Sequence, residues 1–351
     1  MAAKHAQYGA RRIGGEPDPA APDAIPSDAA TTAELETNAF SGPITVPQRV
    51  ALGATGIDVH PLALGAGGFD SAIGPDEAAG ILDRFAALGG ALVDTADRAA
   101  AGGTERILGE WMASRGTRER MRIMTRVGRH PDHRGLAPRV IADAVDASLG
   151  RLGIERIDLL CFHGDDPDVP LEERLGAVDA LIAAGKVRAI GAAGFPPERL
   201  IEARVLAANG LPRFEVVAPR YNLLERRGFE GAPELVAHAQ GLAVLADGSL
   251  ADGFLGGRVR RRSDLRRDPR GERQARHVGR RGLRVLRVLD EVAAAHRTVP
   301  AAVAIAWLLA RPTVVAPIAG VSRAEQVDGL MGAASLILHR SELVELDRAS
   351  S

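Results

Sequence analysis

Three ionisable residues each close a short apolar run. Asp94 follows Ala91-Leu92-Val93, Arg126 follows the run that begins Arg122-Ile123-Met124, and His163 ends the run that begins Ile157-Asp158-Leu159-Leu160. If the runs are neighbouring strands, their ends bring a carboxylate, a guanidinium and an imidazole into one cluster. Such a cluster can hold a polar substrate and shift the imidazole pKa. The plainer reading is a satisfied salt-bridge group at the mouth of the fold. A second carboxylate, Asp247, stands just past another run, Leu242-Ala243-Val244-Leu245.

The elements that must position these residues follow from the hydrophobic pattern. Eight apolar runs read as buried strands: Leu62–Leu64, Ala91–Val93, Arg122–Met124, Ile157–Leu160, Val187–Ile190, Glu215–Val217, Leu242–Leu245 and Val314–Ile318. Between and after them lie helical patterns over 77–88, 105–114, 137–152, 172–184, 197–208, 232–240, 283–295 with 301–309, and 324–334. Eight strand-and-helix units in about 300 residues predict an α/β fold, a (β/α)8 TIM barrel. A doubly wound open sheet would alternate in the same way, but no G-x-G-x-x-G opens any helix. The segment from Val50 to His60, with Gly53 and Gly56, reads as an N-terminal hairpin that closes the barrel floor. Residues 1–44 are rich in Ala, Pro, Asp and Thr without apolar periodicity and read as a disordered tail, leaving 45–351 as the barrel.

Composition narrows the partners. The 351 residues are 46% hydrophobic, and 44 Lys+Arg against 45 Asp+Glu give a formal net charge of -1. No global positive field draws the chain to nucleic acid or a membrane, and no run approaches the ~20 apolar residues of a membrane span. A single cysteine, Cys161, excludes an intrachain disulfide and a Cys-rich metal site, and no metal is expected. The expected location is the cytoplasm. Only Lys4 and Lys186 are lysines, so almost all the positive charge is arginine. Arg258–Arg281 holds 11 Arg and 3 acidic residues, 11 minus 3 giving +8, between the seventh strand and its helix. It reads either as a solvated loop of an Arg-biased chain or as a basic flap over an anionic ligand, since barrel active sites sit on the loops after strands. The stretch has no aromatic residue to stack on bases, which weakens a nucleic-acid reading.

From about Val46 to Ser351 the sequence resembles the aldo-keto reductase family. The matching phrases are Leu52-Gly53-Ala54-Thr55-Gly56, Val93-Asp94-Thr95-Ala96-Asp97, Thr104-Glu105-Arg106-Ile107-Leu108-Gly109, Ser148-Leu149-Gly150-Arg151-Leu152-Gly153, Ala184-Gly185-Lys186-Val187-Arg188, Tyr221-Asn222-Leu223-Leu224 and Ala306-Trp307-Leu308-Leu309-Ala310. Each phrase is weak alone, but their order and spacing together are specific. The resemblance implies a barrel that binds NADP(H), with NAD(H) as the alternative, and reduces a small aldehyde or ketone by hydride transfer. It places the cofactor against Gly65, Ala66, Asp94, Ala193, Gly194, Ala218, Asp247, Gly248, Leu250, Gly320, Val321, Ser322, Arg323 and Gln326.

The family's catalytic Asp, Tyr, Lys and His fall on Asp94, Ala99, Arg126 and His163. Ala99 removes the phenol that donates the proton in the family, whereas Arg126 keeps the cation but cannot deprotonate. The Ser-Asn pair that holds the carboxamide is Ala193-Gly194, the Gln is Ala218, and the Tyr on which the nicotinamide stacks is Asp247. Asp252, near the pyrophosphate position, is expected to repel phosphate. Ser322, Arg323 and Gln326 match the ribose and 2'-phosphate end, although Leu330 replaces an Asn. Three activities stay open: an NADPH-dependent oxidoreductase in which His163 or its bound water is the acid; a dehydratase or epimerase using His163 with Asp247; and an inactive binding or regulatory subunit.

Overall fold

The computed structural model describes residues 48–267 and 270–351, so the expected tail over 1–44 lies outside the described residues. It opens with a hairpin, β1 (Val50–Ala51) and β2 (Asp58–Val59), paired antiparallel. Eight parallel strands follow in chain order: β3 (Ala63–Gly65), β4 (Leu92–Asp94), β5 (Arg122–Val127), β6 (Ile157–His163), β7 (Val187–Ala193), β8 (Phe214–Ala218), β9 (Ala243–Val244) and β10 (Ile318–Ala319). Their order in the sheet is β10-β3-β4-β5-β6-β7-β8-β9. Val315 N–H donates to the Val244 carbonyl and Ile318 N–H to the Ala246 carbonyl, both at 2.9 Å, so the last strand also reaches β9 and the sheet curls back on itself. This is the (β/α)8 arrangement, and all eight strands lie where the apolar runs predict them.

The helices are α1 (Pro75–Ala87), α2 (Gly103–Arg115), α3 (Pro138–Leu152), α4 (Leu171–Ala183), α5 (Pro197–Ala208), α6 (Ala232–Ala239), the short α7 (Gly271–Gln274), α8 (Arg280–Ala295), α9 (Pro300–Leu309), α10 (Glu325–Gly332) and α11 (Arg340–Ser350). Proline at the first turn of α1, α3, α5 and α9 sets φ for the helix where no intrahelical N–H bond is lost.

Strand parity sorts the core. One set of alternate residues, including Val93, Ile123, Leu160, Ile190, Val217 and Val244, packs outward against the helices. The other set, including Ala63, Leu92, Met124, Leu159, Ala189, Val216, Ala243 and Ile318, fills the interior. The hairpin's Leu52, Ile57 and Val59 belong to the interior set, which makes β1–β2 the floor of the barrel, as expected. Arg188 Nη2 donates to the Thr55 and Gly56 carbonyls at 3.1 and 3.0 Å, and Glu215 accepts from Ala54 N at 2.8 Å. A side chain at Gly53, whose φ is +58°, would stand 2.7 Å from the Glu215 carbonyl oxygen, so the hairpin can seat here only with glycine.

Candidate functional site

The same parity builds the site. Counting in twos along the interior-facing positions, Ala63 leads to Gly65, Leu92 to Asp94, Met124 to Arg126, Leu159 and Cys161 to His163, Ala189 and Gly191 to Ala193, Val216 to Ala218, Leu245 to Asp247, and Ile318 to Gly320. Eight of the predicted positions therefore form one ring at the carboxyl ends of the strands, the face on which such barrels carry their chemistry.

Within the ring the charged residues are joined. Arg126 grips Asp94 in a two-pronged ion pair, Nε to Oδ1 at 3.0 Å and Nη2 to Oδ2 at 2.9 Å. Its third donor, Nη1, reaches Asp247 Oδ2 at 2.9 Å. One guanidinium thus serves two carboxylates. Burial raises the Asp94 carboxyl to about 6, the Asp247 charge adding to the rise and Arg126 opposing it. Asp247 is the more open of the two, with 36% of its side chain exposed, and burial works against Arg126 and the Gly248 N–H, which together hold it below the usual carboxylate value. Burial also acts against the Arg126 charge, but the two carboxylates outweigh it and raise the guanidinium. Cys161, beneath the ring, is buried and pushed up to about 12, so it is an inert thiol.

His163 stands next in the ring. Burial, with Arg126, Arg129 and Arg98 adding to it, lowers its pKa to about 3, so the ring is a neutral imidazole in ordinary solution. It cannot be an imidazolium acid there; it can donate from its N–H or hold a water. His163 Nδ1, Thr95 Oγ1 and Asp97 Oδ1 are buried without a hydrogen-bond partner among the described residues, all three beside the ends of β4 and β6. Ala99 opens a tight turn over Ala99–Gly102 in which Ala100 and Ala101 take φ of 47° and 48°. Left-handed backbone in two successive alanines stores strain at the mouth.

Away from the charged cluster, the predicted cofactor residues include two groups. Ala193, Gly194 and Ala218 supply no side-chain donor or acceptor. Leu250, Gly320, Val321, Ser322 and Gln326 line a separate cavity of about 320 Å³, together with Arg258 and Arg270 of the arginine-rich stretch. Ser322 and Gln326 are tied to each other, Ser322 N donating to Gln326 Oε1 at 2.8 Å. Arg323 is exposed and is not among the lining residues, and Glu77 already accepts from Ala324 N at 3.1 Å near the start of α10. The arginine-rich stretch is docked rather than loose. Asp252 takes Arg220 and Arg276 at 2.8 Å each and Arg273 at 3.6 Å, while Arg260 pairs with Asp290 at 2.7 Å. The repulsion expected of Asp252 is therefore corrected, since three guanidinium groups neutralise its charge.

A second cavity, about 930 Å³, opens beside His163 and is lined by Arg98, Arg129, His130 and Arg134 among others. The sequence reading passed over these residues, although Arg129 directly follows the strand end Thr125-Arg126-Val127-Gly128. Among the described residues one group of metal-type side chains also occurs, His296, His339 and Glu342. Its contacts are those of a helix cap: Glu342 accepts from the His339 backbone N–H at 2.7 Å and meets His296 Nε2 at 2.9 Å.

The barrel and the ring define a class of protein, a (β/α)8 scaffold with a polar cluster at its carboxyl face. The sequence narrows the class: residues 61–351 match the Aldo/keto reductase family, and the chain belongs to that family. It is 30% identical over 318 residues to a norsolorinic acid reductase of Emericella nidulans, covering 85% of this chain and 80% of that protein. It is 31% identical over 325 residues to the aldo-keto reductase ausK of the same species, covering 85% and 80%. The aldo-keto reductase yakc [NADP(+)] of Schizosaccharomyces pombe is 26% identical over 281 residues, covering 77% and 81%.

Proposed function

We propose that this chain is an NADP(H)-dependent reductase of a small carbonyl compound, working from the ring Asp94–Arg126–His163. The observation that carries this reading is that the ring is inward-facing and charge-paired, and that a cavity opens beside His163. The adenosine half of the cofactor has polar groups to meet: the 320 Å³ cavity offers Ser322 and Gln326 as hydrogen-bonding groups and Arg258 as a cation for phosphate. The nicotinamide half is poorly served, because Ala193, Gly194 and Ala218 present nothing to a carboxamide. When bound, the dinucleotide supplies the hydride.

The chain's own residues supply the rest. Neutral His163 donates a hydrogen bond from its N–H to the carbonyl oxygen or to a bound water, and water delivers the proton to the oxygen, the hydroxide left behind taking a proton from solvent. Arg126, buried and fixed by two carboxylates next to His163 in the ring, adds a fixed positive charge that favours negative charge developing beside the imidazole. Asp94 holds the guanidinium in place from below.

A second reading has its own support. Ala99 leaves no phenol, and Asp247 presents a carboxylate on Arg126 where the resemblance puts the face for the nicotinamide ring. Both features favour a dinucleotide-binding subunit that does not turn over. A titration with NADPH followed by nicotinamide fluorescence, then NADPH oxidation with a generic aldehyde, decides between the two. Saturable binding with turnover that His163→Ala lowers at least tenfold supports the reductase. Binding with no turnover selects the subunit, and the lack of NADPH binding overturns both.

A further inference from the structure

The 930 Å³ cavity beside His163 carries an excess of unpartnered positive charge. Arg98, from the loop after β4, and Arg129 and Arg134, from the loop after β5, all line it and are exposed. Among the described residues none of these three side chains makes an ion pair or a side-chain hydrogen bond, whereas Arg174 and Arg199, also near this loop, are both bound to Asp165 at 2.8 and 3.0 Å. The acidic lining is largely spoken for. Asp165 has those two partners, and Asp166 accepts from Leu136 N at 2.8 Å and from Asp168 N at 3.3 Å, which leaves Asp168 exposed and unpaired.

The placement of Arg129 is specific. Its Nη2 lies 2.7 Å from where a side chain on Gly164 would begin, so the guanidinium rests against the backbone of the residue that follows His163. Gly164 has φ of +108°, a conformation that also favours glycine, and the two features together keep that place open for the arginine. Arg129 and Arg98 stand, after burial and Arg126, among the causes that lower the pKa of the imidazole. Two fork-shaped donors beside the group that handles the carbonyl oxygen match an oxyanion on the substrate.

We propose that the substrate is an anionic carbonyl compound whose oxyanion, a carboxylate or a phosphate ester, is held by Arg129 and Arg98 next to His163. This rests on the reductase reading for the word substrate, but the binding itself needs no cofactor. Arg134, paired through its backbone with Arg129, lines the same cavity and adds to the positive field. Specificity then comes from charge: a neutral analogue of equal shape leaves the two guanidinium groups without a counter-ion and binds less tightly.

Calorimetric titration of the full chain with phthalate, phenyl phosphate and the neutral dimethyl phthalate tests the proposal. Phthalate or phenyl phosphate should bind at least tenfold more tightly than the neutral ester, and the advantage should shrink as salt is raised. Arg129→Gln and Arg98→Gln should each remove about tenfold of that affinity, the size expected for one charge-assisted contact. Arg139→Gln, an exposed arginine of α3 paired with Asp143, should leave it unchanged. Whichever anion binds more tightly distinguishes carboxylate from phosphate. Equal binding of charged and neutral probes, or Arg129→Gln and Arg98→Gln that bind like the wild type, overturns the proposal. NADPH fluorescence on the same samples is read separately, so failure of the reductase reading leaves the anion result standing.

Discussion

His163 and Asp94 flank Arg126 in the ring, and burial moves their proton affinities in opposite directions. For His163 the folded value of about 3 lies below the ordinary 6.5, so as pH falls through 6.5 the unfolded chain takes up a proton that the folded chain refuses, and stability is lost. For Asp94 the folded value of about 6 lies above 3.8, so between those limits the folded chain holds more proton and stability is gained as pH falls. The two partly offset each other in the wild type. His163→Asn removes only the loss. Between pH 7 and 4.5, denaturant unfolding should show the wild type losing about 2 kcal/mol more than the variant, from ~1.4 kcal/mol per tenfold change in proton affinity. Parallel pH profiles for the two proteins would show that the imidazole is not neutral in the fold. The same chemistry explains why the ring's membership was legible but its wiring was not. Asp94, Arg126 and His163 announce themselves by ending apolar runs. The bond from Arg126 to Asp247 joins residues 121 apart in sequence, and only curling of the sheet brings them together.

At the level of elements, the strands were readable because both faces of a parallel strand are buried, which writes each one as an apolar run flanked by turns. Helix α11 was not foreseen. Its buried positions are Leu346, Ala349 and Ser350, too few and too mixed for a 3.6-residue stripe, and it is secured by its ends. Its capping residue is a histidine rather than the usual Ser, Thr, Asp or Asn. The arginine-rich stretch was recognisable as basic, but its docking was hidden, because the partners Asp252, Glu225 and Asp290 belong to other segments. Asp252 is the common anchor, and its φ of +58° is one that asparagine also tolerates. Asp252→Asn therefore removes the charge without forcing the backbone. Of its three pairs, those with Arg273 and Arg276 hold the stretch itself; partly exposed pairs are each worth about 0.2–1 kcal/mol, so losing both should raise local opening roughly fivefold. Trypsin cleavage within 258–281 should accelerate by that factor while Tm stays within about 2 °C. Unchanged cleavage would mean that α7 and Arg260, not Asp252, hold the stretch down.

Over the whole molecule, Asp94, Arg126 and Asp247 form one coupled set in the ring, so substitutions toward the pattern that the resemblance implies are not independent of one another. Arg126→Lys alone would exchange a three-donor fork that satisfies two carboxylates for a single ammonium, leaving Asp94 and Asp247 to repel each other. Asp247→Tyr alone would free one guanidinium donor in a buried site. Ala99→Tyr alone would restore a phenol beside a cation that is already committed to two acids. The substitutions must therefore be made together: Ala99→Tyr, Arg126→Lys and Asp247→Tyr, with Ala193→Ser and Gly194→Asn to restore the carboxamide contacts. Gly194 has φ of +68°, and a side chain there meets nothing within 4 Å, so asparagine, which accepts this conformation, can be built in. General acid catalysis contributes typically ~10²–10⁴-fold, so the repaired protein should oxidise NADPH with a generic aldehyde measurably faster than the wild type. Should it bind NADPH and still reduce nothing, the ring is not that of a reductase that lost its phenol. Wild-type turnover already equal to that of the repaired protein would instead locate the proton donor at His163, and His163→Ala in the wild type would then abolish it.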